Sequence, residues 1–246
     1  PGTRRARATE RTPDTLTARE RWRLLVGNRP FLIYLGIKLT SLFSLASITA
    51  TQFFFVVYVL QQSVGIAAVY GTTQLVGQLV SIPAWLGMAR RSGKTRVLAW
   101  STLGMAVMAL SWLPAGPGEP LWVYAGRGFL IGLATGGNIL GTQAILPDIM
   151  EYDYRRTGLR REGVFAGLAS FIEKAAGALS GIVIGGFLSA MDFDKALPPG
   201  SQPESALFAI MACTALIPLA MHCVKLGLLW FYDLGPEQLR ATVRVT

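Results

Sequence analysis

Residues 146–179 read "LPDIMEYDYRRTGLRREGVFAGLASFIEKAAGAL". Within 145–163 lie four acids and four arginines, yet the sequence on both sides is apolar and studded with glycine. Charge so concentrated between two oily segments marks a connection between membrane helices, and the rest of the chain can be read outward from it.

The flanking segments run over about 121–146 and 164–190, and four more resemble them: 31–60, 69–89, 97–115 and 205–231. Each has the roughly 20 mostly apolar residues that a membrane-crossing helix needs. The first is overlong, so its inner end is expected to tilt or to lie at the interface. Breakers separate the rest: "QQSVG", "RRSGKTR", "PAGPGEP" and "DFDKALPPGSQPE". Composition agrees. Of 246 residues 52% are hydrophobic and only 15% charged, where a soluble domain carries about a quarter, and the mean hydropathy is +0.43. The expected fold class is an all-α membrane protein with six transmembrane helices.

Lysine and arginine give the direction. Eight precede or include Arg29, four lie in 90–96, four in 147–163, and Arg240 and Arg244 in the tail, eighteen of the twenty-three on one side. The opposite side (61–68, 116–120 and 191–204) has only Lys195; Lys38, Arg127, Lys174 and Lys225 fall within spans. Both ends are therefore expected in the cytoplasm. The organisation is a basic arm over 1–30, a six-helix bundle over 31–231 and a tail over 232–246. The net charge of +9 does not indicate nucleic acid, because no basic groove interleaved with aromatics occurs. Cys213 and Cys223 share one apolar segment, which fits neither a disulfide nor a metal site. The opening "GTRRARATERTPDTLTARERWR" lacks the apolar core and cleavage site of a signal peptide. With Pro1 in place of methionine, it reads as a solvated arm and as the start of a segment of something longer.

Helices in lipid associate by close contact, which favours glycine at every fourth position. Gly128, Gly132 and Gly136 form one such ladder, and Gly177, Gly181 and Gly185 another; both are expected to mark tight packing in the bundle.

Ionisable groups at membrane depth are costly and usually face a protein interior. Lys174 lies eleven residues past Gly163, about 16 Å along a helix and near the midplane. Its helical neighbours are Gly167, Ser170, Phe171, Gly177, Ala178 and Gly181, so it is expected to point into protein. It is a candidate substrate or coupling residue, or else a structural partner of Glu173 or a carbonyl. Lys225 reads as an anchor that snorkels to the headgroups, and His222 as structural. Arg127 is expected to pair with an acid such as Glu119, while Lys38 has no assigned depth. Polar stripes add to this: Thr40, Ser44, Ser47 and Thr51 on one helix, Gln74, Gln78 and Ser81 on another, with Asn138 and Gln143 on a third. They line a polar pathway, or else bond helix to helix. "SGKT" (92–95) is a basic turn, because Gly87 is one residue too far for a phosphate-binding loop and ends a membrane helix instead of following a strand. H-E-x-x-H, G-x-S-x-G and paired intramembrane aspartates are all absent from the sequence, which argues against an enzyme.

"LPDIMEYDYRRTGLRREG" followed by "FAGLASFIEKAAGAL" resembles the glycoside-pentoside-hexuronide cation symporters, the melibiose-permease-like branch of the major facilitator superfamily. That pattern is an A/P-D-x-x-x-Y helix end, a T-G-x-R-R-E-G loop and a helix with a mid-span lysine. "WLGMARRSGKTR" is similar to the basic turn after the superfamily's eighth helix, and "LLWFYDLGPEQL" to the family's end. The resemblance implies that these spans are helices seven to twelve of a twelve-helix transporter, whose two halves rock around a midplane site. It implies a symporter for a sugar or other small organic solute; the alternatives are a symporter of lysophospholipid-like amphiphiles or a non-transporting receptor or scaffold. Lys174 and Ser170, with Glu173 and Asn138, are the candidate solute and coupling residues. Asp148, Glu151, Arg160, Arg161 and Glu162 are the candidate cytoplasmic gate. No covalently bound cofactor is expected. The coupling cation, Na⁺ or H⁺, is expected to sit in the first half, absent from this chain. The expected partners are the lipid bilayer, that missing half or a second copy of this chain, and the solute; the expected location is the plasma (inner) membrane. The absence of an aromatic ring in "GGNILGTQAIL", with Phe129 three turns outward, weakens a sugar assignment.

Overall fold

The computed structural model describes residues 17–234, and among them all regular structure is helical. The basic arm before Thr17 and the tail beyond Leu234 lie outside the described residues. Helix α1 spans Ala18–Val26, within the segment expected to be a solvated arm. Helix α2, Arg29–Phe54, starts at Asn28, whose side-chain oxygen accepts from the Phe31 amide, with Pro30 in the first turn where a missing N–H costs nothing. It continues as a π-helical segment, Phe55–Val59. Helix α3 is Ile66–Ser92 and α4 is Lys94–Leu110, joined at Gly93 with φ 89°. Helix α5 is Leu121–Thr157, α6 is Glu162–Ala190, α7 is Glu204–Met211 and α8 is Ile217–Trp230, the last two joined by π-helical residues Ala212–Leu216.

Four of these stretches, Arg29–Val59, Leu121–Thr157, Glu162–Ala190 and Glu204–Trp230, are long and apolar enough to cross a membrane. The 17 residues of α4 are short for that, and α3 is made more polar by Thr72, Thr73, Gln74 and Gln78.

One boundary differs in kind from expectation. The charged connection over 147–163 is mostly helix, because α5 runs through Pro147 and stops only at Gly158, left-handed with φ 69°. Asp148, Glu151 and Asp153 thus stand on a rigid helix, and the true loop is only a few residues long. Glycine at that φ is what ends α5, since a side chain there would strain the backbone.

The bundle has a definite front and back. Helix α5 packs on α3 and α4, α2 packs on α8 and α6, and α4 and α8 meet behind them. Helices α3 and α6 form the flanks. The apolar core is split in two along the helices. One cluster holds Phe55, Tyr70, Trp112, Tyr124 and Ile184; the other holds Phe31, Tyr34, Ile149, Phe165 and Leu229. Between these levels α2, α3, α5 and α6 leave open space.

The two glycine ladders fare differently. A Cβ on Gly128 would meet Tyr70, one on Gly132 would meet the Gln74 backbone, and one on Gly136 the Gln78 carbonyl and Ser81, so this ladder is what lets α3 and α5 touch. Gly77 returns the contact against the Phe129 backbone. On α6, by contrast, nothing lies within 4 Å of a Cβ placed at Gly177, Gly181 or Gly185. The expectation that they pack within this bundle is not met. Helix α6 is a flank and contacts α2 by its other face, through Phe165, Ala169, Ala176, Ser180, Ile184 and Leu188.

Candidate functional site

The open space is a cavity of about 480 Å³ bordered by α2, α3, α5 and α6, with Met105 of α4 also lining it. Each helix turns polar groups towards it, set among apolar side chains that include Leu42, Leu45, Leu75 and Ile139: Lys38 and Ser41 from α2, Gln74 and Gln78 from α3, Thr135, Asn138, Thr142 and Gln143 from α5, and Glu173 from α6. No aromatic ring lines it among the described residues. Lys38 and Glu173 meet across the α2–α6 boundary at 3.0 Å. Asn138 is buried and donates to the Thr102 hydroxyl of α4 at 3.5 Å.

Of the four candidate solute and coupling residues, the structure gathers two, Asn138 and Glu173. Lys174 and Ser170 lie instead on the exposed glycine face of α6. Lys174 therefore does not point into this bundle, because the face it shares with Gly177 and Gly181 is the uncovered one. Lys38, which had no assigned depth, is the lysine at the cavity.

The stripe on α2 also turns elsewhere. Thr40, Ser44, Ser47 and Thr51 are all buried, and the last three meet α8 or the segment that runs into it. Ser44 lies 3.3 Å from His222 Nε2, Ser47 donates to the Cys213 carbonyl at 2.6 Å, and Thr51 meets Thr214 at 3.1 Å. Thr40 bonds back to its own helix. Ser44, Ser47 and Thr51 fasten helices, and none of the four lines the cavity. Lys225 belongs to the same seam: it is fully buried and its ammonium donates to Ser41 at 2.8 Å. It is not a snorkelling anchor, because it faces α2 and not the lipid.

At the end of the bundle where α3 meets α4 and α5 meets α6, the candidate gate residues separate. Asp148 is held by Lys94, whose ammonium reaches both carboxylate oxygens at 2.8 Å and the Ala144 carbonyl at 3.1 Å. The lysine of the rejected phosphate-loop look-alike thus clasps the start of α4 to α5. Glu151 pairs with Arg155 one turn on, at the surface. Arg160 stacks over Tyr154 at 5.1 Å, and Glu162 is exposed in the first turn of α6.

Arg161 instead makes a buried two-point pair with Asp153, an acid absent from the candidate set. Asn28 donates to the same carboxylate at 3.2 Å, so the start of α2, the end of α5 and the start of α6 converge on Asp153. The signal was present in the sequence as an acid eight residues before an arginine, but only the reversal at Gly158 brings them together. Beside this knot Arg156 donates to the Gly27 and Leu24 carbonyls at the end of α1. At the opposite end Arg127 and Glu119 pair as expected, with the guanidinium 5.0 Å from the Trp112 ring.

Comparison with known proteins gives this architecture a family. Residues 2–236 match the family described as MFS/sugar transport protein, and the chain belongs to that family of the major facilitator superfamily. It is similar to an uncharacterized symporter of Synechocystis, 29% identical over 230 residues, covering 90% of this chain and 41% of the relative. It is 26% identical over 218 residues to the glucuronide carrier protein homolog of Escherichia coli, covering 88% of this chain and 46% of the relative. The symporter YnaJ of Bacillus subtilis is 27% identical over 221 residues, with 88% and 46% covered. The chain thus spans a little under half the length of the curated relatives it matches. It is a multi-pass membrane chain, and the relatives it matches are transporters, two symporters and a carrier, not enzymes.

Proposed function

We propose that this chain is the C-terminal half of a cation-coupled secondary transporter that moves a sugar or other small organic solute by alternating access. In this reading the spans are helices seven to twelve, with both ends in the cytoplasm and the plasma (inner) membrane as the location. The observation that carries the proposal is the polar cavity at mid-height, open on the side where α3 and α6 have no neighbours. A second six-helix half set against that side would turn an open bay into an enclosed midplane site. It would also cover the Gly177–Gly181–Gly185 face and bring Lys174 and Ser170 to the boundary between halves.

The cytoplasmic charges then act at two strengths. The half-exposed Lys94–Asp148 pair and the surface Arg155–Glu151 pair are each worth only about 0–1 kcal/mol and suit contacts that break and reform. The buried Arg161–Asp153–Asn28 knot keeps α2, α5 and α6 moving as one body. The coupling cation, Na⁺ or H⁺, is assigned to the other half.

The test is accumulation of labelled solute by the full-length protein in proteoliposomes under an imposed sodium or proton gradient. The panel should include neutral sugars, glucuronides and small organic acids. Accumulation above equilibrium under one gradient is expected. Uptake that merely equilibrates, whichever gradient is imposed, would overturn the coupling.

A further inference from the structure

Two basic side chains are buried in the seam between α2 and α8, His222 and Lys225, and they differ in what lies beyond their partners. His222 Nε2 meets Ser44, which does not line the cavity. The Lys225 nitrogen donates at 2.8 Å to Ser41, which does. Ser41 sends its own hydroxyl proton to the Ile37 carbonyl at 2.7 Å. A single oxygen therefore stands between a fully buried amino group and the open space.

The seam is poorly furnished for a permanent charge. An ammonium has three N–H donors, and among the described residues Lys225 finds one acceptor. No carboxylate answers it: Asp148 is held by Lys94, Asp153 by Arg161 and Glu173 by Lys38. The other titratable groups on the elements around it are His222 one turn earlier on α8, Cys213 in the preceding π-helical segment, and Tyr34 and Lys38 on the Ser41 face of α2. Helix α4, which also packs on α8, carries only Lys94 and Arg96, both in its first turn. A buried charge with neither counter-ion nor full hydrogen bonding is costly. An uncharged amine in the same place leaves fewer donors unmet, and Ser41 gives its proton a way out.

We infer that Lys225 is a proton-binding site of this half, filled and emptied from the cavity through Ser41. In the emptying step the Lys225 nitrogen gives a proton to the Ser41 oxygen, while the hydroxyl proton of Ser41 leaves the Ile37 carbonyl for a water in the cavity. An amine, an unchanged hydroxyl and a hydronium ion result. The site is distinct from the coupling cation assigned above to the other half, and it requires no solute. The ammonium favours any arrangement in which water reaches the seam, and the amine favours the dry packing seen here. The proton thereby biases how tightly α8 holds α2.

Unfolding of the purified full-length protein, followed from about pH 5 to 9 at one temperature, reads the site without transport. The unfolded chain keeps this lysine protonated throughout that range, so a folded protein that releases the proton gains stability as pH rises. Relative to Lys225→Met and Lys225→Gln, both uncharged at every pH, the folded-to-unfolded ratio of wild type is expected to climb. The climb approaches about tenfold per pH unit on the alkaline side of the transition, the worth of one proton. Lys225→Arg, a fixed cation, should show no such climb. Ser41→Ala removes the one acceptor of the ammonium and should move the climb to more acidic pH. These are differences in slope, so a uniform loss of stability in a variant does not mimic them. Parallel curves for wild type and the two uncharged variants, or a climb that Ser41→Ala leaves in place, would overturn the inference.

Discussion

Arg161 and Asp153 face each other across the reversal at Gly158, the guanidinium spanning both carboxylate oxygens at 2.6 and 2.8 Å with both side chains at most 3% exposed. Removing one member of such a pair leaves the other charged, buried and unmet, which costs about 3–5 kcal/mol. Asp153→Ala is therefore expected to lower the unfolding free energy of the purified protein by that order. Asp153→Ala with Arg161→Met should recover part of it. A double-mutant cycle showing no coupling between the two positions would remove the knot from the account.

Gly132→Ala is expected to destabilise by about 1–3 kcal/mol, the usual cost of overpacking, because its Cβ would lie 2.9 Å from the Gln74 carbonyl carbon. A Cβ at Gly181 meets nothing within 4 Å in this chain. When the two halves are produced as separate polypeptides, Gly181→Leu should instead reduce the amount that co-purifies. An undiminished yield would place that face of α6 against lipid.

A membrane-impermeant amine reagent applied to intact cells should modify Lys195 and spare Lys94, whereas permeabilised cells should yield both. Lys225 should resist modification in either case, since it is fully buried against α2. Labelling of Lys94 from outside would invert the proposed orientation.

Lys174→Ala is expected to abolish gradient-driven uptake by the full-length protein while leaving its amount in the membrane nearly unchanged. Normal accumulation by this variant, measured with the best solute of the panel, would end the role assigned to Lys174.

The comparison between sequence and structure turns on what periodicity encodes. A repeat of four identifies which residues share a helix face, and in that sense the α5 ladder, the α2 stripe and the α6 ladder were all legible. It does not encode which neighbour that face meets. Thr40, Ser44, Ser47 and Thr51 are a single stripe as read, yet the last three serve the seam with α8 and the preceding π-helical segment. The Gly177 ladder is real but uncovered. Lys225 sits near a helix end, where snorkelling is the simplest expectation; its burial depends on Ser41, 184 residues earlier. Asp153 went unnoticed because its partners, Asn28 and Arg161, converge on it only in the folded chain. Lys38 became interpretable once Glu173 was seen beside it.

The knot at Asp153 also bears on how the chain is made. Asn28 leaves the ribosome 125 residues ahead of Asp153, roughly 6–25 s at about 5–20 residues per second. Ser41 precedes Lys225 by 184 residues, roughly 9–37 s at the same rates. Over that interval α2 has to wait without the distant partners of Ser44, Ser47 and Lys38 while later helices are still being synthesised. The early helix of this bundle therefore depends on water or the insertion machinery to shelter its polar side until the last helix arrives.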